Sequence, residues 1–167
     1  MELTDIFPLE EWKKFADSIY ENFGLNGAIY KPDNFRLTKS DKWSNKICPL
    51  IQNSENVIIC SSSQKRISKL VINKLDSVID ECDAGFIKFV VPIYVKKDLV
   101  GMAGGCGCLM KDSEIDIFFI SKILELEEKD AEQLISHVPQ ISKEELEKAI
   151  KFVKEKIDDI LKQRGLA

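Results

Sequence analysis

The sequence contains only one histidine, His137, which lies at a predicted helix end just before Pro139. We expect it to be a surface or terminal residue, so a zinc site with mixed cysteine and histidine ligands is not indicated. No histidine is placed to act as a base for the serine run 61–63, which helix capping explains. No group of residues argues for catalysis, and we expect the protein not to be an enzyme.

Long apolar runs and an excess of basic charge are also missing. No stretch reaches the ~18 apolar residues of a membrane-spanning helix, and residues 1–5 do not resemble a signal peptide. The formal net charge of −4 argues against direct, sequence-independent binding of nucleic acid. We therefore expect a cytoplasmic protein that contacts no membrane. In that compartment its five cysteines are thiols, ligands or redox groups rather than disulfides.

Two periodic patterns predict an α+β fold in one domain spanning residues 1–167. Apolar residues at helical spacing, with capping residues at several ends, predict helices over 9–23, 61–80, 115–126, 130–136 and 143–163. Runs rich in β-branched and aromatic residues predict strands over 25–30, 35–38, 86–95 and 99–110. We expect a central antiparallel sheet of about five strands, with helices on one side and at the ends.

Residues 82–110 form the stretch around which we expect the fold to be organised. They predict two strands joined by a polar turn at 96–98. The second strand is uncharged from Leu99 onward and contains four glycines, so either it bends or another group approaches its backbone closely. Cys106 and Cys108 would point to one face if this strand were regular. The run matches neither Gly-x-Gly-x-x-Gly nor the phosphate-binding loop, so it does not indicate nucleotide binding.

The five cysteines all fall between residues 48 and 108 and allow two interpretations. They can be small buried hydrophobic side chains, as unpaired cysteines often are. Alternatively, four thiolates can hold zinc or an iron–sulfur cluster. The spacing of the cysteines favours neither interpretation, because the sequence has no Cys-x-x-Cys pair. The candidate metal ligands are Cys48, Cys60, Cys82 and Cys106, with Cys108 as the alternate fourth ligand.

These elements, in this order, resemble the PocR-type sensory domain, a PAS/GAF-like module. The resemblance rests on Cys48-Pro49-Leu50-Ile51, Cys60, the Cys-x-Ala-Gly element from Cys82, Val91-Pro92-Ile93, and Gly104-Gly105. It covers roughly residues 9–163. It implies a sensor core over 9–141, a C-terminal helix over 142–163, and small diols or short hydrocarbons as ligands. It also implies a signalling partner, commonly a DNA-binding or kinase output domain on the same chain. We expect the present chain to be either a stand-alone sensor or one part of a longer chain.

The resemblance and the glycine-rich strand together indicate a small-molecule pocket between sheet and helices. Two positions depart from the family pattern: Asp83 replaces the usual histidine and Cys106 the usual glutamine. The candidate ligand-binding residues are Cys82, Asp83, Ala84, Gly85, Gly104, Gly105 and Cys106. We hold two functions open: a sensory module that binds a small ligand, and a metal or iron–sulfur redox protein.

The C-terminal helix carries an apolar stripe from Leu146 to Leu161. A stripe of about four turns is longer than a terminal helix needs to cover a small sheet. We expect the first part of the stripe to pack on its own domain. We expect the second part to form a homodimer interface through Val153, Ile157, Ile160 and Leu161.

Overall fold

The computed structural model describes all residues from Met1 to Ala167 and shows a mostly antiparallel sheet between helices. The strands are β1 (Asn26–Tyr30), β2 (Arg36–Lys39), β3 (Val78–Glu81), β4 (Ile87–Val95), β5 (Asp98–Met110) and β6 (Gln140–Ile141). Their order across the sheet is β2-β1-β5-β4-β3, all antiparallel, and β6 pairs in parallel with the end of β5. The predicted α+β fold with an antiparallel sheet of about five strands is confirmed.

Seven α-helices surround this sheet. They are α1 (Leu3–Ile6), α2 (Leu9–Phe23), α3 (Ile47–Gln52), α4 (Ile58–Lys74), α5 (Ile117–Leu124), α6 (Glu128–Ser136) and α7 (Lys143–Gln163), with a short 3-10 turn at Glu55–Val57. None of them combines the length and the apolar composition that crossing a membrane requires.

The two faces of the sheet carry separate cores because successive side chains of a strand alternate between faces. On one face, Phe89, Val91 and Ile93 of β4 join the core that α2 and α7 complete. On the other face, Val90 packs with residues of α4. A third cluster lies where α3, α5 and α6 cover the end of β5. The candidate site lies on the α3–α4 side of the sheet.

Where the capping signals in the sequence are strongest, the helices begin and end at the predicted residues. Helix α2 starts after Pro8 and ends at Gly24, whose φ of +68° is left-handed. Helix α7 starts with a capping box in which Ser142 Oγ accepts from the Glu145 backbone N–H at 3.1 Å, and Glu145 accepts from Ser142 N–H at 2.9 Å. Both predicted helices are confirmed to within one residue of their ends.

The predicted helix over 61–80 is wrong at both ends. The observed helix α4 begins at Ile58, which places Cys60 in its first turn and leaves Ser61 no capping role. It ends at Lys74, where Leu75 adopts a left-handed φ of +58°. Residues 78–81 then form strand β3, because antiparallel pairing with β4 outweighs the helical spacing of the apolar residues.

The C-terminal helix does not present the predicted dimer surface. Val153 is fully buried, and Ile157, Ile160 and Leu161 are 5–6% exposed, all within the core that α2 and β4 share. The expectation that these four side chains contact a second copy is therefore wrong. The stripe is long because α7 packs along both α2 and the sheet.

Candidate functional site

A small cavity of about 40 Å³ lies between the sheet, α3, α4 and the turn that precedes β4. Its walls combine thiols, apolar side chains and a few polar groups. The thiols belong to Cys48, Cys60, Cys82 and Cys106, the main apolar contributions come from Ile51, Ile59, Ala84 and Phe86, and the polar side chains are Tyr30, Gln52, Ser63 and Lys88. Mostly apolar walls with a few convergent polar groups are typical of small-molecule sites.

A β-bulge at Gly107 directs Cys106 into this cavity. Lys88 pairs with Cys106 and Ile87 pairs with Cys108, so Gly107 is an extra residue with a φ of +101°. The bulge reverses the alternation of side chains. Cys106 therefore lines the cavity, while Cys108 is buried in the core on the opposite face. The expectation that both point to one face is wrong because the strand is not regular.

Asn45 holds helix α3 against this bulge. Its side-chain N–H donates to the Gly107 carbonyl at 2.7 Å and to the Cys48 sulfur at 3.2 Å. Its Oδ1 accepts from the backbone N–H groups of Ile47 and Cys48, both at 2.8 Å. One buried amide thus caps the start of α3 and places the Cys48 thiol beside the bulged strand.

Ser63 of α4 fixes the opposite wall. Its hydroxyl donates to the Ile59 carbonyl at 2.7 Å and accepts from the Asp83 backbone N–H at 2.9 Å. The turn closes on itself, because Gly85 N–H donates to the Cys82 carbonyl at 2.8 Å. This arrangement ties the turn that carries Cys82 and Ala84 to helix α4.

Burial keeps the thiols of Cys48, Cys60 and Cys82 protonated. Desolvation, followed by interaction with Cys106, raises the pKa of Cys82 to about 11 and raises the pKa of Cys48 well above its usual value. The pKa of Cys60 is also raised, again first by burial. Outside the cavity, burial raises the pKa of Cys108 to about 12. These side chains are thiols rather than reactive thiolates at neutral pH.

The four cavity cysteines share one space but do not form a metal-binding cluster. No group of three or more histidine, cysteine, aspartate or glutamate side chains is placed to hold a metal ion. Cys108, the alternate ligand, lies on the other face of the sheet, where its sulfur is 3.7 Å from the Gly24 carbonyl oxygen. The geometry therefore does not support the predicted zinc or iron–sulfur site.

Lys88 is the only charged side chain in the cavity wall. It is the second residue of β4 and is 6% exposed. Its ammonium group donates to the Tyr30 hydroxyl at 3.4 Å and lies 5.1 Å from the centre of the Tyr30 ring. Burial lowers the pKa of Lys88, but interactions with Tyr30 and Cys106 outweigh burial, so the pKa is raised.

The predicted ligand-binding residues divide into two groups. Cys82, Ala84 and Cys106 line the cavity, whereas Asp83, Gly85, Gly104 and Gly105 do not. The Asp83 side chain points outward and forms a salt bridge with Arg66 at 3.2 Å. A Cβ on Gly104 would lie 2.2 Å from the Phe89 carbonyl oxygen, so this glycine permits close strand contact and leaves no room for a ligand.

Four residues that form or support the cavity were not predicted as site residues: Tyr30, Asn45, Ser63 and Lys88. One signal was present for Lys88, since it is the only charge between Asp83 and Lys96 in a run that otherwise reads as a buried strand. Lysine is almost never fully buried without a partner, so a lysine within such a strand indicates a site residue. The other three gave no comparable signal, because their roles depend on contacts between distant segments.

An α+β domain with a small, mostly apolar cavity between its sheet and helices has the architecture of a small-molecule binding module. The sequence matches the family described as the sensory domain found in PocR over residues 5–164. The chain therefore belongs to this family of sensory domains, as its motifs suggested. No curated protein matches the chain.

Proposed function

We propose that this protein is a cytoplasmic, non-enzymatic sensory module that binds a small ligand in the cavity formed by α3, α4 and the bulged strand. The observation that supports this most directly is the cavity itself, in a chain that belongs to a sensory family. The apolar walls suit a short carbon chain, while Tyr30, Gln52, Ser63 and Lys88 offer partners to its polar end.

A signal can pass from this cavity through the segments that form its walls. Helices α3 and α4 contribute Cys48, Ile51, Cys60 and Ser63, so a ligand contacts both helices and the sheet at once. A ligand that binds one arrangement of these helices better than another shifts their equilibrium. We propose that a signalling partner or output domain detects this shift.

Thermal unfolding of the purified protein tests whether a ligand binds. Diols, short alcohols and short carboxylates are added over a range of concentrations. A specific ligand raises the Tm with increasing concentration, because it binds only the folded state. The absence of any shift across all three groups would contradict the proposal.

A cavity-filling variant shows whether the response depends on this site. Ala84, which is 4% exposed, lines the cavity, so Ala84→Leu places extra carbon atoms where the ligand would lie. We expect this variant to lose the Tm response of the wild-type protein. Lys129→Leu, on the exposed surface of α6, serves as the control and keeps the response.

A second candidate function is binding of a soft metal ion, favoured by four thiols around one cavity. Zinc on four thiolates carries net negative charge, which the Lys88 ammonium would stabilise. The side chains would have to move closer together, since they form no metal-binding group as they stand. Elemental analysis after anaerobic purification, with a count of reactive thiols, tests this function. Stoichiometric zinc or iron supports it, and a metal-free folded protein with titratable thiols contradicts it.

A further inference from the structure

The charge of the ligand can be inferred from Lys88. This residue is 6% exposed in the cavity wall, forms no salt bridge and has the Tyr30 hydroxyl as its hydrogen-bond acceptor, at the long distance of 3.4 Å. Burying an ammonium group without a negative partner is strongly unfavourable.

No carboxylate of the chain supplies the missing charge. The cavity wall contains no aspartate or glutamate. Asp83, five residues from Lys88 in sequence, forms its salt bridge with Arg66 on the surface, and Asp80 is bound to the same guanidinium group. The site is therefore positively charged and open to an anion.

A second, independent observation extends this charge beyond Lys88. A smaller cavity of about 20 Å³ adjoins the first and shares Tyr30, Gln52 and Cys106 with it. Its walls add Arg36, Lys39 and Lys42 and also contain no acidic residue. Two adjoining cavities thus have four basic side chains and no carboxylate, in a chain with 28 acidic and 24 basic residues.

The additional cations form no salt bridge, and Asp41, which interacts with Lys39, is itself paired with Lys13 at 2.7 Å. Arg36 donates to the Gln52 side-chain oxygen at 2.7 Å, which points Gln52 toward the shared wall. Lys39 lies 4.2 Å from the centre of the Trp43 ring. Burial, followed by repulsion from Arg36, lowers the pKa of Lys39. None of Arg36, Lys39 and Lys42 forms a salt bridge.

We infer that the ligand of this sensory module is a short-chain carboxylate, whose carboxylate group accepts hydrogen bonds from Lys88 and Tyr30. Its carbon chain would lie among Ile51, Ile59 and Phe86. The size of the cavity fits this class: one water needs roughly 10–15 Å³, so the space holds about three water-sized groups. Acetate and propionate are of that order of size. This inference rests on the proposed function and specifies its ligand class.

Matched pairs of probes test the charge requirement. Isothermal titration at constant ionic strength compares propionate with propionamide, which has the same shape and no charge, and with 1,2-propanediol. We expect propionate to bind at least tenfold more tightly than propionamide, because hydrogen bonds to charged groups are the stronger ones. Equal affinities for the two would overturn the inference.

The variant Lys88→Met tests the role of the ammonium group itself. Methionine fills similar space without charge, so we expect the fold to persist and the affinity for propionate to fall by about tenfold to a hundredfold. Lys122→Met is the matched control, since Lys122 also lies over an aromatic ring, 5.2 Å from the centre of Phe118, but on α5 outside the cavity. An unchanged propionate affinity in Lys88→Met would contradict the inference.

The outcomes separate this inference from the proposed function. If 1,2-propanediol binds wild-type protein and Lys88→Met equally and propionate binds neither, the sensory function stands and the carboxylate assignment is wrong. If no probe of any charge binds, the proposed function fails as well. If propionate binds both proteins only at low ionic strength, it binds exposed surface charge and the inference is again wrong.

Discussion

Single residues in the bulged strand decide which side chains reach the cavity. Gly107 is the clearest case, because its φ of +101° is strained for any other residue. A Cβ there would also lie 2.5 Å from the Asn26 side-chain nitrogen and 3.0 Å from the Ser44 Cβ. The glycine allows the extra residue that sends Cys106 and Cys108 to opposite faces.

We predict that Gly107→Ala destabilises the protein by about 1–3 kcal/mol, through backbone strain and overlap with Asn26. Gly24→Ala is the control, since Gly24 has a φ of +68° but no atom within 4 Å of its added Cβ. We expect this control to lose less stability, from backbone strain alone. Urea unfolding of both variants measures the difference, and equal losses would contradict the role of the bulge.

At the scale of elements, helix α7 buries its apolar stripe in the core of its own domain. Its apolar stripe packs with α2 and the sheet, and Phe152 contacts Phe23 of α2 with ring centres 5.5 Å apart. A separate contact ties α7 to the turn before β3, where Lys154 donates to Asp76 at 2.7 Å. These contacts explain why residues expected at a dimer interface are buried.

Ile157→Lys should therefore unfold the protein instead of giving a folded monomer. Ile157 is 5% exposed, and the substitution removes core contacts and buries a charge, so we expect a loss of about 2–5 kcal/mol. Thermal unfolding and light scattering measure the result. Asp159→Lys, exposed on the same helix, should change stability little. If the wild-type protein is a dimer and Ile157→Lys is a folded monomer with the wild-type Tm, the result would support the predicted dimer interface instead.

The ion pair between Lys154 of α7 and Asp76 in the turn before β3 should depend on pH. The hydrogen bond from Lys154, followed by one from the Ser77 backbone, lowers the pKa of Asp76 from 3.8 to about 2. Because the folded-state pKa is the lower one, the contribution to stability is present above about pH 4 and is lost as the pH falls toward 2.

We predict that Asp76→Asn lowers stability at pH 7 by less than about 1 kcal/mol, because both side chains are partly solvated. The difference from wild type should disappear near pH 2. Thermal unfolding across this range measures it, with Asp158→Asn as an exposed control on α7. A difference that persists at pH 2 would show that the ion pair is not its cause.

At the scale of the whole molecule, the sequence indicates the elements better than the site. Periodicity and capping predict α2 and α7 to within a residue, because their signals are local and agree with the packing. Strand β3 is missed because Val78 and Ile79 continue the helical spacing of α4, and only pairing with β4 reveals the strand. The cavity depends on the bulge at Gly107 and on the hydrogen bond from Asn45 to the Gly107 carbonyl, two residues that are 62 apart in sequence. No local sequence pattern encodes either feature.

The most direct test of the account is a nuclear magnetic resonance titration of the isotope-labelled protein with propionate and with 1,2-propanediol. At least one probe should shift backbone signals, with the largest changes at cavity residues such as Cys60, Ala84 and Lys88. Signals of exposed residues in α7, such as Glu147, should stay unchanged. Saturable shifts confined to the cavity walls would establish it as the ligand site. Shifts that are absent for both probes, or that cluster elsewhere, would contradict the account.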